Sequence, residues 1–500
     1  LAVTGIAVAL IGLSTGWAHG AAQAACAGAE SDFNGDGARD TVISDPDAVV
    51  SGHAEAGSVT VVYGNDAGTA QIHQDVSWVA DTAEADDRFG YSTAVTDVDS
   101  DGCSDLLVGV PYEDVGAVRD AGLVQLFYGS PTGFGAKAGV EFAQGQKLGG
   151  VAQAGDLSGY ALAAGKSTTG IPFLVIGAPG EDVAGIDAGM FFYVHGAGFA
   201  TVPVTEDSPG VWAVSDPHDR LGASIAATSG YIAVGAPGEA VGRLAFSGGV
   251  LVFRPSINTN GIPDPVFGFG QNTAADSGDA GAEAYDRFGT SVALTDTRAA
   301  TENGPRGAVL AVGVPGEDIG TVTDAGAVGL FRINPDKTLT HIHDVVHQNL
   351  PDVDGEATAG DFFGQQVALV NTAPAVVATG ETVKLAVGVP GKETSPEAEQ
   401  LDKGGVQVFP VQSVLGTADA WLDPGYGIPG VPEHQMFAGT SLGATPQELL
   451  VGVVNPSGAV PGAVYAFNWS VASGGAPTRS LIPGEGGIPA GGVSFGAVVR

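Results

Sequence analysis

The chain is poor in positive charge: 19 lysines and arginines stand against 56 aspartates and glutamates, a net charge of −37 over 500 residues. Such a polyanion is repelled by phosphate backbones and anionic headgroups, which argues against nucleic acid and against electrostatic binding to membranes. After the first 25 residues no apolar run is long enough to span a bilayer as a helix. Local signatures of catalysis are also missing. No G-x-S-x-G, H-E-x-x-H or phosphate-cradling loop occurs, and no nucleophile–base pair or pocketed carboxylate pair is marked by spacing, so no catalytic residue is assigned. His341, His343 and His347 share one parity on a strand candidate and could bind a transition metal; exposed strand histidines are the simpler account.

Glycine (79) and proline (29) are abundant, and 44% apolar content supplies a core, so the glycines belong to turns and close contacts within a folded body. They recur in register. A Phe-Gly element at Phe89-Gly90 returns as Tyr160-Ala161, Leu221-Gly222, Phe288-Gly289, Phe363-Gly364, Phe437-Ala438 and Phe495-Gly496. A buried-strand element ending in proline reads VGVP at 108–111, IGAP at 176–179, VGAP at 234–237, and VGVP at 312–315 and 387–390, with weaker forms at 451–454 and 42–46. The period is roughly 60–75 residues, the mark of a repeat architecture. The runs are short, β-branched or aromatic, and bounded by Gly, Pro and Asp, so they are strands. Outer strands are expected at 76–79, 140–143, 200–204, 266–269, 342–346 and 480–482.

A four-stranded unit cannot bury both faces alone, and repeats of it are stable when stacked radially. The expected fold is therefore all-β, a seven-bladed β-propeller of four-stranded antiparallel blades. The first copy has no Phe-Gly strand of its own, while residues 494–500, SFGAVVR, have no later strands after them. This C-terminal strand is expected to complete the first blade and close the ring, removing open sheet edges.

Residues 1–18 are uncharged and strongly apolar, and Ala22-Gln23-Ala24 fits a small-residue cleavage site. The block 1–25 reads as a secretory signal peptide whose start lies upstream of Leu1; a retained membrane helix is the alternative. Residues 26–500 read as one domain. For an exported protein, Cys26 and Cys103, at adjacent-blade positions, suggest one disulfide pinning the N-terminal segment to the next blade, against two unpaired small residues.

Two loops carry the chemistry. Asp32, Asn34, Asp36, Ala38 and Asp40 in the first, and Asp97, Asp99, Asp101, Cys103 and Asp105 in the second, follow D-x-[DN]-x-D-G-x-x-D. Alternating acidic positions in a tight turn converge their oxygens, Gly permits the bend, and the next residue (Ala38 or Cys103) offers its carbonyl; this suits the hard ion Ca²⁺. Other blades carry different segments there, 166–170, 297–306 and 371–381 among them. A second acidic set follows the strand-ending prolines: Glu113, Asp114 and Asp120; Glu181, Asp182 and Asp187; Glu239; Glu317, Asp318 and Asp324; Glu393 and Asp402. On the face opposite the calcium loops these read as a binding rim for cations or basic partners, or as turn chemistry paired with Arg88, Arg220 and Arg287.

Phe-Gly at the first strand, Gly-Ala-Pro at the second and an Asp-rich loop between them resemble the FG-GAP repeat family, the β-propeller head of integrin α subunits and its bacterial secreted relatives. The resemblance covers nearly the whole chain after about residue 26. It implies Ca²⁺ at both loops, residue for residue, and a protein or glycan ligand at the upper face or channel mouth. The function expected is a secreted or cell-surface calcium-binding adhesion or ligand-binding module. Two alternatives stand beside it: a secreted hydrolase or lyase with its site at the channel, since some FG-GAP chains accompany phospholipase activity, and a structural envelope protein.

Overall fold

The second strand is among the most fully enclosed strands of a blade. Asp105–Val110 and Gly307–Val314 are buried along their entire length, as expected for β-branched runs with a neighbouring strand on each side and a neighbouring blade on each face. The computed structural model describes residues 26, 28–183, 185–271, 281–297, 306–393, 402–411, 415–455 and 462–500. The block 1–25, read above as a signal peptide, lies outside them. Among the described residues there is no α-helix, and no helix is long and apolar enough to cross a membrane.

Seven antiparallel sheets follow one another along the chain and form a seven-bladed β-propeller. Blade 2 shows the plan: Ser92–Thr96, Asp105–Val110, Leu123–Phe127 and Val140–Ala143 pair in sequence order from the inside outward. Blades 3 to 7 repeat it over 162–204, 224–269, 292–346, 366–428 and 441–481, and blade 6 adds the two-residue parallel strand Gly427–Ile428 at its edge. The apolar clusters lie between blades. Leu107, Val124, Leu126 and Phe142 of blade 2, for example, pack with Leu174, Ile176, Phe192 and Val194 of blade 3.

The repeat motif marks the contact between blades. A Cβ on Gly109 would lie 2.2 Å from the carbonyl oxygen of Gly159 in the next blade, and one on Gly313 only 1.9 Å from that of Gly364. The same contact recurs at Gly177, Gly235, Gly388 and Gly452. No side chain fits there, so the glycine of one blade's second strand and the glycine heading the next blade's first strand are required together. This corrects two alignments. The heading elements of blades 3 and 7 are Ser158-Gly159 and Ala438-Gly439 rather than Tyr160-Ala161 and Phe437-Ala438, because Gly159 and Gly439 make the contact, and Ala438 bridges Gly404 as Phe363 bridges Gly326.

The ring closes as expected. Val498–Val499 pairs with Thr41–Asp45, completing blade 1 with Ser58–Val62 and Thr69–Ile72. Val42 and Arg500 exchange backbone bonds of 2.9 and 3.0 Å, and Gly496 donates to the Ser44 carbonyl at 3.0 Å. Phe495 and Val499 pack with Ile43, Leu450 and Val464 at the seam with blade 7.

Outer strands are less regular. Those of blades 2 and 3 fall where expected, and those of blades 4, 5 and 7 overlap the expected spans. In blade 1 the outer strand is Thr69–Ile72; residues 76–79 form turns whose Val79 is buried beneath the blade. The histidine reading also changes. A bulge pairs His341 with Phe331 but His343 with Leu330. Adjacent residues of a strand point to opposite faces, so these two histidines do as well, and the shared parity is lost.

Candidate metal centre

The two Asp-rich loops lie side by side at one end of blades 1 and 2: loop 1 leads into the second strand of blade 1, Thr41–Asp45, and loop 2 joins the first and second strands of blade 2. Positive φ at Gly35 and Gly37, and at Ser100 and Gly102, curls each loop so that backbone N–H groups face the leading aspartate. Asp32 accepts from Gly35 (2.7 Å), Asp36 (3.1 Å) and Gly37 (2.8 Å); Asp97 accepts from Gly102 (3.3 Å). The last aspartate of each loop is fully buried. Asp40 takes N–H bonds from Phe33 and Gly64, both 2.8 Å, and Asp105 takes them from Val98 (2.7 Å) and Gly129 (3.0 Å). These carboxylates tie the loop to the start of the third-to-fourth strand connection, and each oxygen keeps a second lone pair. Burial pushes Asp40 up to about 6 and Asp105 up to about 7, against the pull of those N–H bonds.

Asp97, Asp99 and Asp101 each bring an oxygen within 4.8 Å of the others. In loop 1, Asp36 N–H bonds to the Asn34 side-chain oxygen at 3.1 Å, and Ala38 N–H to Asp36 at 2.8 Å; Cys103 N–H bonds to Asp101 in the same way at 2.8 Å. These bonds fix the N–H groups of Ala38 and Cys103, the loop positions expected to offer a carbonyl. Two ammonium groups reach loop 2: Lys137 to Asp99 at 2.7 Å and Lys166 to Asp97 at 2.9 Å. Lys166 comes from blade 3, at the position where a third Asp-rich loop would begin. Among the described residues no such cation pairs with Asp32 or Asp36.

A Cys26–Cys103 disulfide crosses both loops, with Cα atoms 5.0 Å apart and a sequence separation of 77. Gly28 N–H bonds to the Gly102 carbonyl (3.0 Å), Ser104 N–H to the Asp32 carbonyl (2.8 Å), and Ser130 N–H to the Phe33 carbonyl (2.9 Å). The loops are therefore one bolted unit. Sγ atoms joined in a disulfide are not thiolate ligands, so the proximity of Cys26, Cys103 and Asp101 is not a soft-metal site.

The opposite face is built differently. Loops between second and third strands exit there, since consecutive antiparallel strands place successive loops at alternate ends. The acids following the prolines are of two kinds, largely buried glutamates and more exposed aspartates. Glu113, Glu181 and Glu317 are buried, each receiving a 2.6 Å bond from a glutamine that follows the outer strand of the preceding blade: Gln74, Gln144 and Gln271. Beside each glutamate sits a buried aspartate, Asp87, Asp156 or Asp286, that accepts the N–H of the residue three before it. Burial pushes Glu113 to about 9 and Glu317 to about 8. In blade 6 Lys392 replaces the glutamate, and its ammonium holds Gln348 (3.1 Å) and Asp361 (2.9 Å). This Gln–Asp–Glu lattice joins the blades and was not anticipated from sequence. Its only trace there is a glutamine one or two residues past the outer strand, in step with the repeat.

Asp114, Asp182 and Asp318 are turn formers. Each accepts an N–H five or six residues on at 2.9 Å, from Asp120, Asp187 and Asp324. Of the three arginines, Arg88 pairs with Glu55 (2.5 Å) and Asp47 (3.8 Å) and lies over Tyr112; Arg220 and Arg287 form no ion pair with described residues. A cleft of about 560 Å³ opens on this face between blades 5 and 6, lined by Tyr285, Arg287, Asp318, Asp324, Phe362 and Gln365 among others. Tyr285 is 56% exposed and Phe362 38%.

The sequence model of the FG-GAP repeat matches residues 89–127, the span from Phe89-Gly90 through loop 2 to the third strand of blade 2. The chain is an FG-GAP repeat β-propeller. The FG-GAP chain is 36% identical over 109 residues to rat phosphatidylinositol-glycan-specific phospholipase D and 34% identical over 106 residues to the human enzyme of that name. These matches take in 21% and 20% of the chain and only 13% of each relative's length. Among solved structures, the periplasmic gluconolactonase PpgL of Pseudomonas aeruginosa overlays on 89% of this chain and 96% of its own, with 12% identity and a TM-score of 0.43.

Proposed function

We propose that this FG-GAP propeller is an exported, calcium-stabilised ligand-binding module, with Ca²⁺ at Asp32, Asn34, Asp36, Ala38 and Asp40 and at Asp97, Asp99, Asp101, Cys103 and Asp105. The observation that carries the reading is the convergence of Asp97, Asp99 and Asp101 in a loop bolted to its neighbour by a disulfide. An oxygen-only set of this kind suits a hard divalent ion. A disulfide suits an oxidising compartment, which supports a secreted or surface location. The ligand, a glycan or a protein segment, docks in the cleft on the far face. There Tyr285 and Phe362 offer rings for stacking, and Arg287 and Gln365 offer donors. No nucleic acid is a partner of so acidic a surface.

Calcium calorimetry on the chain from residue 26 onward, with and without chelator, tests the metal half. The two loops are expected to contribute two ions, one lost in Asp36→Ala and one in Asp101→Ala. Equal binding by wild type and both variants would remove calcium from the loops. A second reading, hydrolysis at the cleft, draws on the segmental likeness to phospholipase D and on Asp286, a cleft residue that burial pushes up to about 6. Turnover of a glycan or phosphodiester that Asp286→Asn abolishes would favour it over binding alone.

A further inference from the structure

The Gln–Asp–Glu lattice has one member without a donor. At the junction of blades 3 and 4, the place held elsewhere by glutamine is taken by Glu206, which joins Asp219 and Glu239. One oxygen of each lies within 4.8 Å of the others. Glu206 is 2% exposed and Asp219 1%. Glu206 Oε2, Asp219 Oδ1 and Glu239 Oε2 are all buried without a hydrogen-bond partner among the described residues; Asp219 Oδ2 accepts the Asp216 N–H at 2.5 Å.

The sister sites show what such a cluster requires. In blades 2, 3 and 5 a carboxamide Nε2 donates to the glutamate at 2.6 Å. In blade 6 the position equivalent to Glu239 is Lys392, whose ammonium sits on Gln348, Asp361 and the Glu356 carbonyl. There the slot holds a cation carried on a side chain. At the blade 3–4 junction all three groups are acceptors, Asp207 and Asp216 add negative charge nearby, and no described lysine or arginine reaches in. Three ionised carboxylates cannot share a buried site unpartnered.

We propose that Glu206, Asp219 and Glu239 form a third divalent-cation site, for a hard ion of the calcium class, on the face opposite the Asp-rich loops. The donor set is oxygen only, which disfavours zinc and copper. Glu239 is partly exposed, leaving a side from which water completes the coordination shell. The ion plays the part of the glutamine amide in blades 2, 3 and 5 and of the lysine in blade 6, holding blade 4 to blade 3.

The test is calcium calorimetry with the Asp36→Ala/Asp101→Ala protein, so that this site is read separately from the loops. One Ca²⁺ per chain is expected, with a rise in Tm on adding calcium. Glu206→Gln installs the residue of the sister blades, and Glu239→Lys installs that of blade 6. Each is expected to fold, to lose that one ion, and to melt higher than its parent when calcium is absent. If the parent and Glu206→Gln bind the same number of ions, or if calcium leaves the parent's Tm unchanged, the cluster holds protons and the proposal is wrong. Failure of the loops to bind would show separately, as equal stoichiometry in the wild type and the Asp36→Ala/Asp101→Ala protein.

Discussion

Removing residues 494–500 should open the ring, and the size of the effect follows from what that strand buries. Phe495 and Val499 are 4% and 2% exposed. Beyond the ladder pairs Ile43–Val499 and Ser44–Val498, backbone bonds join Val42 and Arg500 in both directions and Gly496 to Ser44; three such bonds set a lower bound. At about 1.5–3 kcal/mol per buried side chain and about 0.5–1.5 kcal/mol per backbone bond, the loss is roughly 5–10 kcal/mol. That rivals the whole net stability of a typical domain, about 5–15 kcal/mol. The truncated protein also exposes the edge of Thr41–Asp45 to pairing with other chains, so aggregation should accompany unfolding. The assay is urea denaturation followed by tryptophan fluorescence, with a permuted chain carrying 490–500 ahead of residue 26 as control. The truncation is expected to be unfolded or aggregated in buffer and the permutant to keep the wild-type midpoint. A truncated chain with an unchanged midpoint would mean that the seam strand contributes nothing and that blade 1 stands on three strands.

Four further outcomes are expected. Lys166→Met removes the ammonium 2.9 Å from Asp97 and should tighten calcium at loop 2 by about two- to tenfold, a modest range because the pair is partly exposed; titration in the Asp36→Ala background reads it. Gly313→Ala places a methyl 1.9 Å from the Gly364 carbonyl, which should cost about 1–3 kcal/mol or more in urea melts, well above a surface substitution. Cys103→Ser frees a 77-residue loop and should destabilise by about 4–5 kcal/mol on chain entropy, while weakening both metal loops together. Burial holds Glu113 at about 9 and Glu317 at about 8, above their ordinary 4.5, so the folded state binds more protons than the unfolded one. Their contribution is therefore full below pH 4.5 and is lost as pH rises through 8 to 9; chelated protein should melt higher at pH 5 than at pH 9, and Glu113→Gln should flatten that slope.

What could be read in the sequence was whatever depends on backbone shape. The glycine pairs that let blades touch, the prolines that end second strands, and the Asp-rich turns are local requirements, and they stand at fixed offsets. The closing strand was legible for the same reason, as the heading motif that the first copy lacks. What was not legible depends on a partner elsewhere in the chain. Gln74 and Glu113 are 39 residues apart, and each alone looks like a surface turn residue. The blade 1 outer strand, Thr69–Ile72, buries only Ile72, so its polar composition hid it behind the more apolar turn at 76–79. In blades 3 and 7 the aromatic of the heading motif is replaced by Ser158 and Ala438, because the blade contact is made by the glycine and not by the ring.

The cross-links are not spread evenly round the ring, and their placement has a physical reason. Blades 2 to 7 are each one continuous stretch of chain, whereas blade 1 is assembled from residues 41–72 and 498–499. Its closure rests on pairing alone, so it is the place where the ring opens most easily. The disulfide and both Asp-rich loops lie at blades 1 and 2, beside that seam. The disulfide ties the N-terminal segment to blade 2, Phe33 is buried against blade 2 residues Leu106 and Phe127, and the Asp32 and Phe33 carbonyls accept N–H bonds from Ser104 and Ser130. An ion in either loop would therefore hold together the blade that lacks covalent continuity. Chelation and reduction should each lower the barrier to opening at the seam, and hydrogen exchange should locate the first exposed amides in 41–45 and 494–500 rather than in blades 4 or 5. Uniform exchange around the ring under chelation would show that the seam is no weaker than the other blade junctions.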